Sequence, residues 1–350
     1  MGDVSAPRVR ALTVPAERAW RRALGYALAL YIAVLSAEYV SSSAPIPIAS
    51  PILLLGYIPY YVALLFVGSR WGPLSFRSHY LFGAIIGLGT ESFLTKALYG
   101  QPEHGEPFGP VVAGFDVWGL VWVVFTYHPL VTTAIPFLLA RHYFGLPQPS
   151  AMTHRWRSAS LAALPVAAGI LAAITGQPPE VVVPAFALNA ATLTVLIAVF
   201  RRSGRPPASR HGRWQWVITL GLALVLALGS LPQRYVPESG ALVATVAGLL
   251  VLAWAFFRSV RLDAATTPTG LEHRPAFRWW AYLRYLIFFA AALALSYAAA
   301  LALLPLVYVL LAVFTYGSGA VSCIYLARVV SRMILRSGAA SAHAPSPPPG

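Results

Sequence analysis

The sequence predicts an all-α protein, a polytopic bundle of about ten transmembrane helices with the N and C termini in the cytoplasm. Three observations support this fold class. Hydrophobic residues make up 58% of the 350 residues and charged residues only 10%, which lies outside the range of soluble domains. Apolar segments long enough to cross a bilayer recur along the chain, and the basic residues alternate between successive loops.

Each predicted span is justified by its length. A hydrocarbon core of about 30 Å requires about 20 apolar helical residues, because each residue of a helix rises about 1.5 Å. Ten segments qualify: 23–40, 46–68, 80–98, 117–140, 161–175, 181–200, 214–231, 241–257, 281–298 and 301–326. The last two are separated mainly by Pro305, so nine spans are the main alternative.

The distribution of basic residues predicts the orientation. Arginine is abundant before the first span, after the last span and in every second loop, whereas the opposite loops contain only Arg234, with Lys96 at the outer end of the third span. Basic loops usually remain in the cytoplasm. We therefore expect a multi-pass protein of the cell's inner or plasma membrane, with the lipid bilayer as its main partner. Because the arginines flank apolar segments and form no stripe, no nucleic-acid partner is expected.

The polar residues divide the chain into four parts. Residues 1–22 form a cytoplasmic segment, 23–140 a four-span half that carries the intramembrane polar residues, 141–326 a six-span apolar half and 327–350 a cytoplasmic tail expected to be disordered. Spans five to eight have no charge in their cores, where Asn189 is the most polar residue. The functional site is therefore expected in the first half.

Ionisable groups inside a span cost roughly 2.5 to 3.5 kcal/mol each and usually mark function. In span three, Gly83 and Gly87 are one turn apart and allow a neighbouring helix to approach closely, and Glu91 continues their face. In span four, Pro129 cannot donate to the helix ladder, which frees a carbonyl near Phe125 beside His128. The candidate substrate or proton site consists of Glu91, His128, Lys96, Glu38, Thr95 and Thr132.

Glu91 and His128 are predicted to meet. Counted along their helices, the two residues lie at similar depth, in the outer half of the membrane, and spans three and four are joined by a single external loop. We therefore expect one shared, water-accessible site. The alternative is that each makes a structural hydrogen bond, with Lys96 reaching outward to the headgroups.

No metal and no cofactor are predicted. The external loop that contains Glu103, His104 and Glu106 is also rich in Pro and Gly, which is typical of an exposed turn. The chain has no phosphate-binding or dinucleotide-binding motif. Its single cysteine, Cys323, excludes an internal disulfide.

Part of the polar pattern resembles a known signature. Glu91, Lys96 and the following His128 resemble the first Glu, the basic end and the His of glutamate-dependent intramembrane proteases of the CAAX-processing type. Ser92 replaces the second Glu of that signature, Lys96 replaces its Arg, and its later His/Asn pair is absent. The resemblance implies an intramembrane hydrolase in which Glu91 activates water.

Three functions follow from these observations. The first is a carrier or permease for a small solute, with Glu91 and His128 lining a cavity. The second is an intramembrane enzyme, either a glutamate-dependent hydrolase or a lipid-modifying enzyme. The third is a structural subunit of a membrane complex. A wet path through both halves would favour the carrier, and a closed pocket that joins Glu91 to His128 would favour the enzyme.

Overall fold

A computed structural model describes residues 74–94, 97–99, 109–134, 178–202, 239–266 and 279–342. Nearly all of these residues are helical, as the sequence predicts. The predicted spans one, two, five and seven lie outside the described residues, and so do the candidate residues Glu38, Thr95 and Lys96. The loop residues Glu103, His104 and Glu106 are outside them as well.

The first described helix, α1, is Phe76–Gly89. It begins earlier than the predicted span because Ser75 caps it, with the Ser75 hydroxyl accepting a hydrogen bond from Ser78 N. The helix then widens into a π-helical turn, Thr90–Leu94, which we call the π-turn. A short 3₁₀ turn follows at Ala97–Tyr99.

A small hairpin leads into the next helix. Strand β1, Val111–Val112, pairs antiparallel with β2, Phe115–Asp116. The two linking residues, Ala113 and Gly114, both have positive φ, at 50° and 80°, as a two-residue type I′ turn requires. A second widened helix, the π-helix Gly119–Ala134, follows and contains Pro129.

Three long helices complete the described part: α2 is Pro179–Arg202, α3 is Ser239–Thr266 and α4 is Trp279–Ala342. The predicted break between spans nine and ten is absent, because α4 continues through Pro305 and through part of the predicted tail. A proline removes one backbone donor, and the Ala and Leu residues around it are strong helix formers that maintain the helix.

Helix α1 lies between two neighbours. One side packs against the π-helix and the other against α3, and α4 packs on the π-helix. Pairs along α1 and α3, such as Ser78 with Ser259 and Phe82 with Phe256, show that these helices are antiparallel. The buried apolar core between the helices includes Leu74, Leu81, Leu88, Val124, Leu252, Phe256, Val329 and Met333.

Large apolar side chains on α3 and α4 face outward. Examples are Val243, Leu250, Leu295, Val321 and Leu335, each about two thirds or more exposed. Among the described residues, Gly240–Ala265 and Tyr316–Leu335 are long and apolar enough to cross a membrane. The total of ten spans and the orientation of the termini remain predictions.

Candidate functional site

The candidate site is a contact between the π-turn and the π-helix. Glu91 Oε1 lies 2.9 Å from His128 Nε2. Both side chains are largely shielded, with 13% of Glu91 and 6% of His128 exposed. The predicted meeting of these two residues is therefore confirmed. Both lie in widened helical turns, which are frequent at functional sites.

Two glycines allow the helices to approach this closely. A Cβ added at Gly87 would lie 2.9 Å from His128 Cβ, and one added at Gly83 would lie 2.4 Å from Pro129 Cα. Neither separation is possible between real atoms. The backbone of α1 therefore rests directly against the His128–Pro129 segment, as the glycine spacing in the sequence predicts.

The backbone beside His128 has the polar partner that Pro129 makes necessary. Pro129 has no N–H, and in an α-helical ladder that N–H would reach the carbonyl of Phe125. The hydroxyl of Tyr80 donates to Phe125 O at 2.5 Å. The carbonyl predicted to be freed is thus bound by a side chain of the neighbouring helix.

Thr132 determines which proton His128 can exchange. The Thr132 hydroxyl donates its one hydrogen to His128 O at 2.8 Å, and His128 Nδ1 lies 3.3 Å from the same hydroxyl oxygen. This arrangement fits the tautomer in which Nδ1 carries a hydrogen and donates it to the Thr132 oxygen, because the hydroxyl hydrogen is used for His128 O. The proton that can be exchanged is therefore the one between His128 Nε2 and Glu91 Oε1.

One proton on that line makes the pair neutral. It can lie on Nε2, giving an imidazolium and a carboxylate, or on Oε1, giving a neutral imidazole and a carboxylic acid, and the net charge is zero in both cases. Loss of this proton adds one negative charge to a shielded site, which favours the approach of positive charge. The geometry can therefore couple proton release to the binding of positive charge.

The π-helix that carries His128 is fixed at its beginning by Asp116. This fully buried carboxylate accepts hydrogen bonds from Trp118 N and Gly119 N, both at 2.9 Å. The hairpin positions Asp116 for this role. We did not predict the cap, although an Asp directly before an apolar helix is a known start signal.

A second polar contact lies at the opposite end of α1. Arg77 Nη2 lies 3.4 Å from Asp263 Oδ1 on α3, and the other carboxylate oxygen accepts hydrogen bonds from Ser75 N at 2.9 Å and the Ser78 hydroxyl at 2.5 Å. Arg77 also donates to the Ser259 hydroxyl at 2.7 Å. We call this set the Arg77–Asp263 network. Arg77 lies in the sequence just after the second predicted span, and its contact with Asp263 was not predicted.

Of the predicted site residues, the structure brings together Glu91, His128 and Thr132. Glu38, Thr95 and Lys96 are outside the described residues, and so their role remains a prediction. Tyr80 is the site residue that sequence reasoning missed. Within the described ranges, no group of three or more His, Cys, Asp or Glu could hold a metal ion.

The outward apolar faces of α3 and α4 are typical of helices that face lipid. The comparison with family models agrees. The model of an uncharacterized membrane protein family matches residues 27–343, so the chain belongs to that family. No curated protein and no solved structure matches the chain.

Proposed function

We propose that this protein is a membrane carrier that exchanges protons for a small cationic solute, and that Glu91 and His128 form its proton site. The observation that carries the proposal is the 2.9 Å contact between Glu91 Oε1 and His128 Nε2. It holds one exchangeable proton in a shielded place between two closely packed helices.

The choice of a cation follows from charge balance. The pair is neutral with one proton and negative without it, so a positively charged solute near the pair makes proton release more favourable. The sequence supports the same sign, because the predicted external side carries Glu38, Glu103, Glu106, Glu180 and Glu238. An acidic entrance attracts cations.

The same contact also favours a second candidate, an intramembrane hydrolase or lipid-modifying enzyme. A carboxylate hydrogen-bonded to an imidazole of fixed tautomer can act as a general acid and base. In the enzyme, Glu91 activates water and His128 carries the proton. The carrier and the enzyme differ in what they do to a solute: one moves it unchanged, and the other cleaves or modifies it.

The test is proton movement in liposomes that contain the purified protein and a pH-sensitive dye. A panel of inorganic and organic cations is added outside, and the internal pH is followed. We expect at least one cation to drive proton movement in the native protein, and Glu91→Gln and His128→Ala to abolish it. Arg284→Gln is the matched control, because this exposed guanidinium contacts the carbonyl of Trp280 on its own helix.

Two results would contradict the carrier. One is that no cation in the panel moves protons in the native protein, and the other is that Glu91→Gln exchanges as fast as the native protein. If mass spectrometry of the same liposomes then shows a Glu91-dependent change in lipid or peptide composition, the enzyme replaces the carrier as the function.

A further inference from the structure

The hydroxyl of Tyr80 joins three helices, because it lies on one helix and contacts backbone carbonyls of two others. Its side chain is 1% exposed. Its hydroxyl, on α1, lies 2.5 Å from Phe125 O of the π-helix and 3.1 Å from Ser322 O of α4. A phenol has one hydrogen to donate, so the two carbonyls compete for it.

The contact with Phe125 bears directly on the proton site. Phe125 O lies about one turn before Pro129, in the part of the π-helix where the proline removes a backbone donor. Pro129 immediately follows His128. The hydroxyl of Tyr80 therefore stabilises the backbone in the widened turn that presents His128 to Glu91.

Helix α4 is close enough to influence this bond. The rings of Trp118 and Tyr316 are 4.1 Å apart between centroids, and a Cβ added at Gly319 would lie 2.8 Å from Val121 Cγ1. The ring of Tyr325 packs edge-on against Tyr80 with centroids 4.9 Å apart. A displacement of α4 along the π-helix therefore changes the distance between the Tyr80 hydroxyl and Ser322 O.

We propose that Tyr80 is a positioning residue for the Glu91–His128 pair, and that competition between Phe125 O and Ser322 O couples that pair to the position of α4. When the hydroxyl donates to Phe125 O, the π-helix holds His128 against Glu91. When α4 moves so that Ser322 O takes the hydrogen, the Phe125 carbonyl loses the Tyr80 hydroxyl and the pair loosens. This inference rests on the proposed proton site.

The experiment compares two buried tyrosines. Tyr99 is 3% exposed, and its hydroxyl lies 3.1 Å from Thr245 Oγ1, in a contact that does not involve the π-helix. Infrared spectroscopy follows the carboxyl band that is lost in Glu91→Gln while pH is varied in the purified full-length protein. We expect Tyr80→Phe to shift the titration midpoint of this band by about one pH unit and Tyr99→Phe to leave it unchanged.

A proline replacement tests the mechanism. Pro129→Ala restores a backbone donor at position 129, which stabilises this segment of the helix without the Tyr80 hydroxyl, so the combined Tyr80→Phe/Pro129→Ala variant should titrate as Pro129→Ala does alone. If Tyr80→Phe does not fold, the comparison of that combined variant with Pro129→Ala still tests the role of the hydroxyl.

Three outcomes would overturn the proposal. The first is an unchanged midpoint in Tyr80→Phe, and the second is an equal shift in Tyr80→Phe and Tyr99→Phe. The third is a combined Tyr80→Phe/Pro129→Ala variant whose midpoint differs from that of Pro129→Ala. The readout requires no solute, so it stays informative if the carrier function fails in liposomes. If the native protein has no Glu91-dependent titration, the proton site itself is refuted, and the role of Tyr80 with it.

Discussion

Helix α1 makes one acid–base contact near each end, and the two contacts differ in kind. At one end Arg77 lies 3.4 Å from Asp263, whose carboxylate also accepts hydrogen bonds from Ser75 N and the Ser78 hydroxyl. Just beyond the other end Glu91 lies 2.9 Å from His128. A guanidinium keeps its charge in such a contact, whereas an imidazole and a carboxyl group can exchange one proton.

The two contacts therefore have different roles: the Arg77–Asp263 network is an anchor, and the Glu91–His128 pair is the candidate site. The Arg77–Asp263 network uses permanent charge and several donors to attach α1 to α3, so it is difficult to open. The Glu91–His128 pair attaches α1 to the π-helix through one exchangeable proton, so a change of protonation can alter it. We infer that α1 and α3 stay together while the π-helix side responds to protons.

The largest effect on stability is expected at the anchor. Asp263→Ala removes the acceptor of Ser75 N, the Ser78 hydroxyl and Arg77, and we expect the free energy of unfolding to fall by about 3 kcal/mol. Glu91→Gln keeps the shape and a hydrogen bond to His128, so its loss should be about 1 kcal/mol or less. Unfolding by dodecyl sulfate in mixed micelles measures both values. Equal losses would contradict the assignment of anchor and site.

A smaller effect is expected where α1 touches the π-helix. In Gly83→Ala the new methyl group would meet Pro129 Cα at 2.4 Å, so the two helices must separate at a cost of about 1 to 3 kcal/mol. Gly89→Ala is the matched control, because a Cβ there meets nothing within 4 Å. The same micelle titration should show a loss for Gly83→Ala and none for Gly89→Ala. A loss at both positions would indicate that close packing is not the reason for Gly83.

The sequence was sufficient to predict the Glu91–His128 contact because this contact follows from local features of spans three and four. The spacing of Gly83, Gly87 and Glu91 defines one helix face, Pro129 marks the open carbonyl near Phe125, and residue counts give the depths. The widened helical geometry was not predicted, since no periodicity in the sequence distinguishes it from an ordinary helix.

Two of the missed contacts, those of Tyr80 and of Arg77 with Asp263, are long-range. Tyr80 binds backbone carbonyls of two other helices. Because every residue has a backbone carbonyl, the sequence does not indicate which carbonyl a side chain will bind. Arg77 and Asp263 are 186 positions apart, so their pairing depends on which helices are neighbours. The predicted break between spans nine and ten depended mainly on Pro305, with a single run as the alternative, and the helix-forming residues around Pro305 maintain α4 through it.

We propose that Glu91 and His128 hold one proton as a unit. Infrared titration of the purified protein tests it most directly, in the native form, in Glu91→Gln, in His128→Ala and in the double variant. Coupled groups titrate as a pair, so we expect His128→Ala to move the titration midpoint of the Glu91 carboxyl band. The double variant should lose no more of the titrating carboxyl signal than Glu91→Gln loses alone. A Glu91 band that titrates identically with and without His128 would contradict the account.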